Sequence, residues 1–194
     1  ELRFVDNSLE IHASDGWILG NRIEEAEVRF ARLKPTAPLE VSGRLRGPFE
    51  DQLRVLRETP LKTRFGALAR LLKGRGESLL ELAFEVPLRP GARPSRVEGE
   101  LSWNGAAGLE LLDAELPLTR VDGRLHFSLD GVSAEGIAAR TLDTEVRIDV
   151  QRIDAGHLYR VHILPARKNA IKHELFTVEG TGTLIANDFE ETFS

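Results

Sequence analysis

Apolar residues in this chain recur with a period of two, and that rhythm limits what it can fold into. Leu39-Glu40-Val41-Ser42-Gly43-Arg44-Leu45-Arg46 alternates without an error, and Leu80 to Val86 does so with Ala83 on the polar side. Val97 to Trp103, Val121 to Leu129, Val146 to Val150, Tyr159 to Ile163 and Phe176 to Val178 continue it, and Leu9-Glu10-Ile11 and Val28-Arg29-Phe30 are shorter versions. Side chains alternate faces along a strand, so each run is a strand with one apolar and one polar face. Pro90-Gly91, Asn104-Gly105 and Asp130-Gly131 punctuate the runs at hairpin spacing. Strands this close in sequence are antiparallel, because a parallel crossover needs about a dozen residues.

One region breaks the rhythm. From Pro48, apolar Phe49, Leu53 and Leu56 follow the i, i+4, i+7 spacing of a helix, with Pro48 at its first position and Pro60 ending it. A second helix is expected from about Leu61 to Leu72, with Phe65, Leu68 and Leu72 on one side and Gly74 as its stop. The expectation is a two-helix insertion at 48–73, packed on the sheet by Phe49, Leu53, Leu56, Phe65 and Leu68. Val41-Ser42-Gly43-Arg44-Leu45, Val97-Glu98-Gly99-Glu100-Leu101 and Val121-Asp122-Gly123-Arg124-Leu125 share one pattern, echoed at Val178-Glu179-Gly180. Glycine inside a strand marks a bend or a close backbone approach, so the echo predicts a sheet that curves at one level; coincidence among glycine-rich strands is the alternative.

Alternation gives each strand an apolar face without saying what covers it. The pattern yields roughly ten to twelve strands. With helices about 10 Å wide and strands about 4.8 Å apart, two helices shield roughly four of them. The rest must close on itself as a sandwich, pack on other parts of a larger protein, or bind something apolar. The fold class is mainly β: a curved antiparallel sheet, open as a groove or half-pipe, with a short helical insertion, the alternative being a closed β-sandwich.

Composition removes other functions. The net charge is −5, and basic residues are interspersed with acidic ones, so no nucleic-acid footprint exists. The one basic cluster, Arg167 to His173, reads as a solvated turn. With no cysteine there is no disulfide, thiol nucleophile or zinc knuckle, which fits an oxidising compartment without requiring one. The five histidines show no metal spacing, no Gly-x-Ser-x-Gly elbow occurs, and the acidic residues alternate with basic ones as on solvated faces. Lys73-Gly74-Arg75-Gly76-Glu77-Ser78 and Gly180-Thr181-Gly182-Thr183 lack the strand–loop–helix setting of a phosphate loop and read as turns. The expectation is a protein that is not an enzyme and carries no cofactor or metal. No apolar run approaches the roughly 20 residues of a membrane helix. With no methionine in the sequence, the natural chain is expected to begin upstream of Glu1.

The order of these motifs resembles a known family. Leu39-Glu40-Val41-Ser42-Gly43, Gly47-Pro48-Phe49, Leu53 to Leu56, Thr59-Pro60-Leu61, Gly76-Glu77, Leu80-Glu81-Leu82 and Val86-Pro87-Leu88 look like the YhdP family of the AsmA-like group. There a strand leads into a helix opened by Gly-Pro, a Pro-Leu break, a second helix, and strands ending in Pro-Leu. Gly16 to Gly20, Val97-Glu98-Gly99, Leu116-Pro117-Leu118, Val121 to Phe127 and Gly131 to Ala134 extend the likeness, which covers about residues 1–150. The resemblance implies a segment of a large periplasmic protein, anchored in the inner membrane by parts of the parent chain, whose β-groove carries phospholipids toward the outer membrane. Phospholipids and other envelope proteins are the implied partners. The apolar face would then line an acyl-chain groove, and the strand pattern assigns to it Leu80, Leu82, Phe84, Val86, Val97, Leu101, Trp103, Val121, Leu125 and Phe127. Residues 151–194 read as a divergent continuation of the sheet with an acidic tail from Asn187 to Ser194.

Overall fold

The computed structural model describes residues 2–5, 8–30, 38–70, 72–88, 95–111, 116–141, 144–153, 158–165, 176–179 and 183–186. Pro90-Gly91, the Arg167–His173 cluster, Gly180, the acidic tail and the side chain of Leu68 lie outside them. The strands are β1 (Leu2–Val5), β2 (Ser8–Ala13), β3 (Gly16–Ile18), β4 (Asn21–Phe30), β5 (Pro38–Pro48), β6 (Leu72–Arg75) and β7 (Glu77–Pro87). They continue as β8 (Arg96–Leu111), β9 (Leu116–Ser128), β10 (Gly131–Thr141), β11 (Thr144–Ile153), β12 (Leu158–Pro165), β13 (Phe176–Glu179) and β14 (Thr183–Ala186). The helices α1 (Phe49–Glu58) and α2 (Lys62–Arg70) stand between β5 and β6.

All the described strands belong to one antiparallel sheet, ordered β1-β2-β4-β5-β7-β8-β9-β10-β11-β12-β13-β14, with β3 on β4 and β6 on β8. No described pairing joins β1 to β14, so the sheet is open and the sandwich alternative does not form. Each strand pairs with its sequence neighbour, except where the helices and the short strands β3 and β6 intervene.

Register sets the apolar residues in rows across the strands. One row runs Ala26, Gly43, Leu82, Gly99, Phe127, Val132; the next runs Ile23, Leu45, Leu80, Leu101, Leu125, Ala134, Val150. In the first row Gly43 and Gly99 flank Leu82, and a Cβ on Gly99 would fall inside the Phe127 ring. Gly99 is therefore the space into which Phe127 leans. Gly43 faces a bulge in β4, and its Cβ would stand 3.1 Å from the Glu25 carbonyl oxygen. Gly123 has φ 141°, and its Cβ would lie 3.0 Å from Ile137 Cα. Two of the echoed glycines thus mark close backbone approach, and the third makes room for a ring. Register shifts cross β8 between Asn104 and Ala107 and β10 between Ala134 and Ala138, with Gly105 and Gly136 at positive φ. Bulges bend and twist a strand, so this band curves the sheet. Asn104-Gly105 is therefore a bulge inside a 16-residue strand, not a hairpin turn.

The helix pair packs on the apolar face. Pro48 is the N-cap of α1 rather than its first residue, with ψ 134° still extended as the last position of β5. Glu50 and Asp51 occupy the first turn and Arg57 the last, each matching the helix dipole. Phe49, Leu53, Val55 and Leu56 are buried, as are Leu61, Phe65 and Ala69 around α2. Gly74 is not a helix stop. Residues 72–75 leave α2 as strand β6, because the Phe49 ring fills the space above Gly74 and the Gly74 N–H donates to Glu50 Oε2 at 3.0 Å. Tertiary contacts override the helical spacing of Leu72.

Polar groups latch α1 in place. Buried Gln52 donates through Nε2 to the carbonyls of Leu45 (3.2 Å) and Ser78 (2.7 Å), and Ser78 Oγ donates to Gln52 Oε1 at 2.6 Å. The Phe49 N–H donates to the Gly76 carbonyl at 2.8 Å. Burial works against the charge of Glu50, but hydrogen bonds from Arg57 and the Gly74 N–H, with the charges of Arg57 and Lys73, hold its carboxyl below the ordinary value.

Three outcomes follow from this packing. Leu53 is 0% exposed, so Leu53→Ala should lower stability by about 2–4 kcal/mol in urea denaturation. Gly99→Val should destabilise by roughly 1–3 kcal/mol despite the better strand propensity of valine, because the Phe127 ring must leave its seat; a variant as stable as the parent would show the glycine to be incidental. For Glu50, a lowered folded-state pKa gives stability that is present above the unfolded value and lost as pH falls through the folded one. Glu50→Gln should therefore flatten the acid limb of stability against pH below the ordinary carboxylate range, measured as urea midpoints.

Candidate functional site: the apolar face of the sheet

All ten residues assigned to the groove lie on one face. Phe84 stands opposite Val97, Leu80 opposite Leu101, Leu101 opposite Leu125, and Val86 and Leu82 share the parity of β7. Gly99 pairs with Phe127, Trp103 with Gly123, and Ala107 with Val121, which keeps the β8 and β9 positions on that face.

Their surroundings differ. Leu80, Leu82, Val97, Leu101, Trp103, Val121 and Phe127 are buried in a core cluster that includes the helices, while Phe84, Val86 and Leu125 are half-buried. The helix pair is the cover. Phe49 meets Trp103 edge-on with centroids 5.2 Å apart, and Phe65 meets Phe127 edge-on at 5.0 Å. Such pairs contribute about 0.5–1.5 kcal/mol beyond the area they bury. At these positions the face is filled by the protein's own side chains.

Beyond the helices the face is open. Ile11, Val28, Val41 and Phe84 form one row across β2, β4, β5 and β7, with Leu9, Phe30, Leu39 and Val86 beside them. All eight are half-buried, and Leu88 just past β7 is 44% exposed. With strands about 4.8 Å apart, the strip spans four strands. The alternation at Leu9-Glu10-Ile11, Val28-Arg29-Phe30 and Leu39-Glu40-Val41 carried the signal for these positions; what it lacked was the place where the helices stop.

The opposite face is charged and paired across strands. Arg44 meets Glu81 at 2.5 Å, Arg124 meets Glu100 at 3.6 Å, His126 meets Glu100 at 3.2 Å and Arg147 meets Glu135 at 4.0 Å. A shallow concavity of about 470 Å³ is lined by Ser42, Ala83, Glu81, Glu98, Glu100 and His126 among others. Among the described residues no group of three or more His, Asp or Glu could hold a metal ion. The chemistry of the arrangement is therefore that of an apolar strip, roofed at one end, on the back of a solvated ionic surface.

Comparison with known proteins gives the lineage. A family model described as YhdP protein matches residues 1–164, from β1 to the last residues of β12. No curated protein and no solved structure matches the chain. The matched span includes the helix pair and every strand of the apolar strip, and the chain belongs to the YhdP family.

Proposed function

We propose that this chain is a segment of a periplasmic envelope protein, anchored to the inner membrane through its parent, that carries phospholipid acyl chains along its apolar face toward the outer membrane. The observation that supports this reading is the half-buried strip from Leu9 and Ile11 to Phe84 and Val86 on a sheet that, among the described residues, has no second sheet against it. Apolar area is worth about 25 cal/mol per Å² when removed from water, so a strip four strands wide is stabilised by an apolar occupant. An acyl chain suits it, since the strip presents aliphatic and phenyl groups and no polar side chain is needed to grip a hydrocarbon. The reading involves no bond making or breaking and no cofactor. The paired charges of the other face would keep that side in water.

The packing of Trp103 and Phe127 beneath the helices supports a second reading for that part of the sheet alone, as a fixed scaffold rather than a conduit. The two readings predict different contacts. A photo-reactive residue at Val41 or Phe84 should give lipid adducts by mass spectrometry, whereas one at Glu40 or Glu85, on the other face, should give none. Adducts on both faces, or on neither, would refute acyl-chain carriage. At Leu101, 4% exposed, the yield should be at least several-fold below that at Phe84.

A further inference from the structure

We propose that α2 carries a docking site for the phosphate of a phospholipid, formed by Lys62 and Arg70, while the acyl chain of the same lipid lies on the open apolar strip. The proposal rests on the acyl-chain reading above and adds the headgroup to it.

Charge distribution is the first observation. The chain has a net charge of −5, yet residues 59–76 contain Lys62, Arg64, Arg70, Lys73 and Arg75 and no acidic residue. Partnering is the second. Arginines on the sheet's polar face are held by cross-strand carboxylates, as Arg44 is by Glu81 and Arg124 by Glu100. Among the described residues, no carboxylate holds Lys62 or Arg70, and both are exposed.

Geometry brings the two together. Lys62 and Arg70 are eight residues apart, roughly 12 Å along the helix and on one stripe, with Gly66 between them. A Cβ on Gly66 would lie 3.7 Å from Arg70 Nη1 and 3.4 Å from Lys62 Cβ. The Arg70 guanidinium is thus folded back over the glycine toward Lys62, and no side chain at position 66 separates the two cations. A guanidinium offers paired donors to phosphate oxygens and an ammonium adds a compact charge.

Placement connects this site to the strip. Phe65 of α2 lies against Phe127, which pairs with Gly99, two positions along β8 from Val97. Val97 pairs with Phe84, at the margin of the open strip. Leu61, Phe65 and Ala69 are buried, and Lys62 and Arg70, each next in sequence to a buried residue, stand exposed beside them. A lipid on the strip would have its phosphate beside the helix that ends the roof.

The test compares the full chain with Lys62→Gln/Arg70→Gln, two exposed changes that leave the core untouched. Each is loaded with phosphatidylglycerol or with diacylglycerol of the same acyl chains, and bound lipid is counted by native mass spectrometry at low salt. The double variant should retain about tenfold less phosphatidylglycerol and as much diacylglycerol as the parent, and added salt should erase the difference. Equal phosphatidylglycerol retention by variant and parent would overturn the phosphate site while leaving acyl-chain binding standing. Binding of neither lipid by the parent would overturn both. Displacement of phosphatidylglycerol by inorganic phosphate at equal concentration would make free phosphate the ligand and overturn the lipid assignment.

Discussion

Where β5 turns into α1, the chain leaves the sheet and strand carbonyls lose their neighbours in the process. Gln52 meets this difficulty. Its amide donates to the carbonyls of Leu45 and Ser78 and accepts from the Ser78 hydroxyl, inside a region where an unmet polar group costs about 1–3 kcal/mol. With those groups satisfied, α1 can lie flat on the face it has just left. Phe49 then reaches Trp103, α2 follows, and Phe65 reaches Phe127. The roof, the buried part of the apolar face and the boundary of its open part all follow from that one polar anchor.

Two helices cannot cover so wide a sheet, and the structure meets the shortage by curvature. The bulges at Gly105 and Gly136 and the close approach at Gly123 cross β8, β9 and β10 as one band. Past it, Val132, Ala134, Ile137, Ala139, Val146, Ile148 and Val150 join the same core cluster as the helices. Alanines at 134 and 139 suit the inner side of a bend, where larger side chains would collide. The ends of β2, β4, β5 and β7 that carry Leu9, Phe30, Leu39 and Val86 have neither roof nor bulge, and there the apolar row stays half-buried.

Alternation made the strands and their two faces legible because it depends only on local geometry, and each assigned groove residue lies on the face that its parity indicated. The two helices were legible from the spacing of Phe49, Leu53 and Leu56 and from Pro60. What local reading misplaced were elements fixed from a distance. Leu72 and Gly74 have helical spacing but are drawn into β6 by Phe49 and Glu50, and Asn104-Gly105 has turn chemistry but is kept within β8, as a bulge, by pairing to Asp122 on β9. The extent of the roof was illegible for the same reason: whether Phe84 or Phe127 faces an opening depends on which of them Phe65 reaches, and both have the same parity.

Most strands in this sheet touch only the strands beside them, so the molecule is close to a one-dimensional chain of neighbour contacts, and such arrays unfold piecewise. The helix pair is the exception. Through Gln52, Phe49 and Phe65 it ties β5, β7, β8 and β9 to one another across positions that the ladder alone couples only in sequence. Cooperativity is therefore concentrated in one block of the sheet, and strands outside it can be gained, lost or varied in number without dissolving the block. A fold built this way can lengthen by whole hairpins while its rigid centre keeps one size.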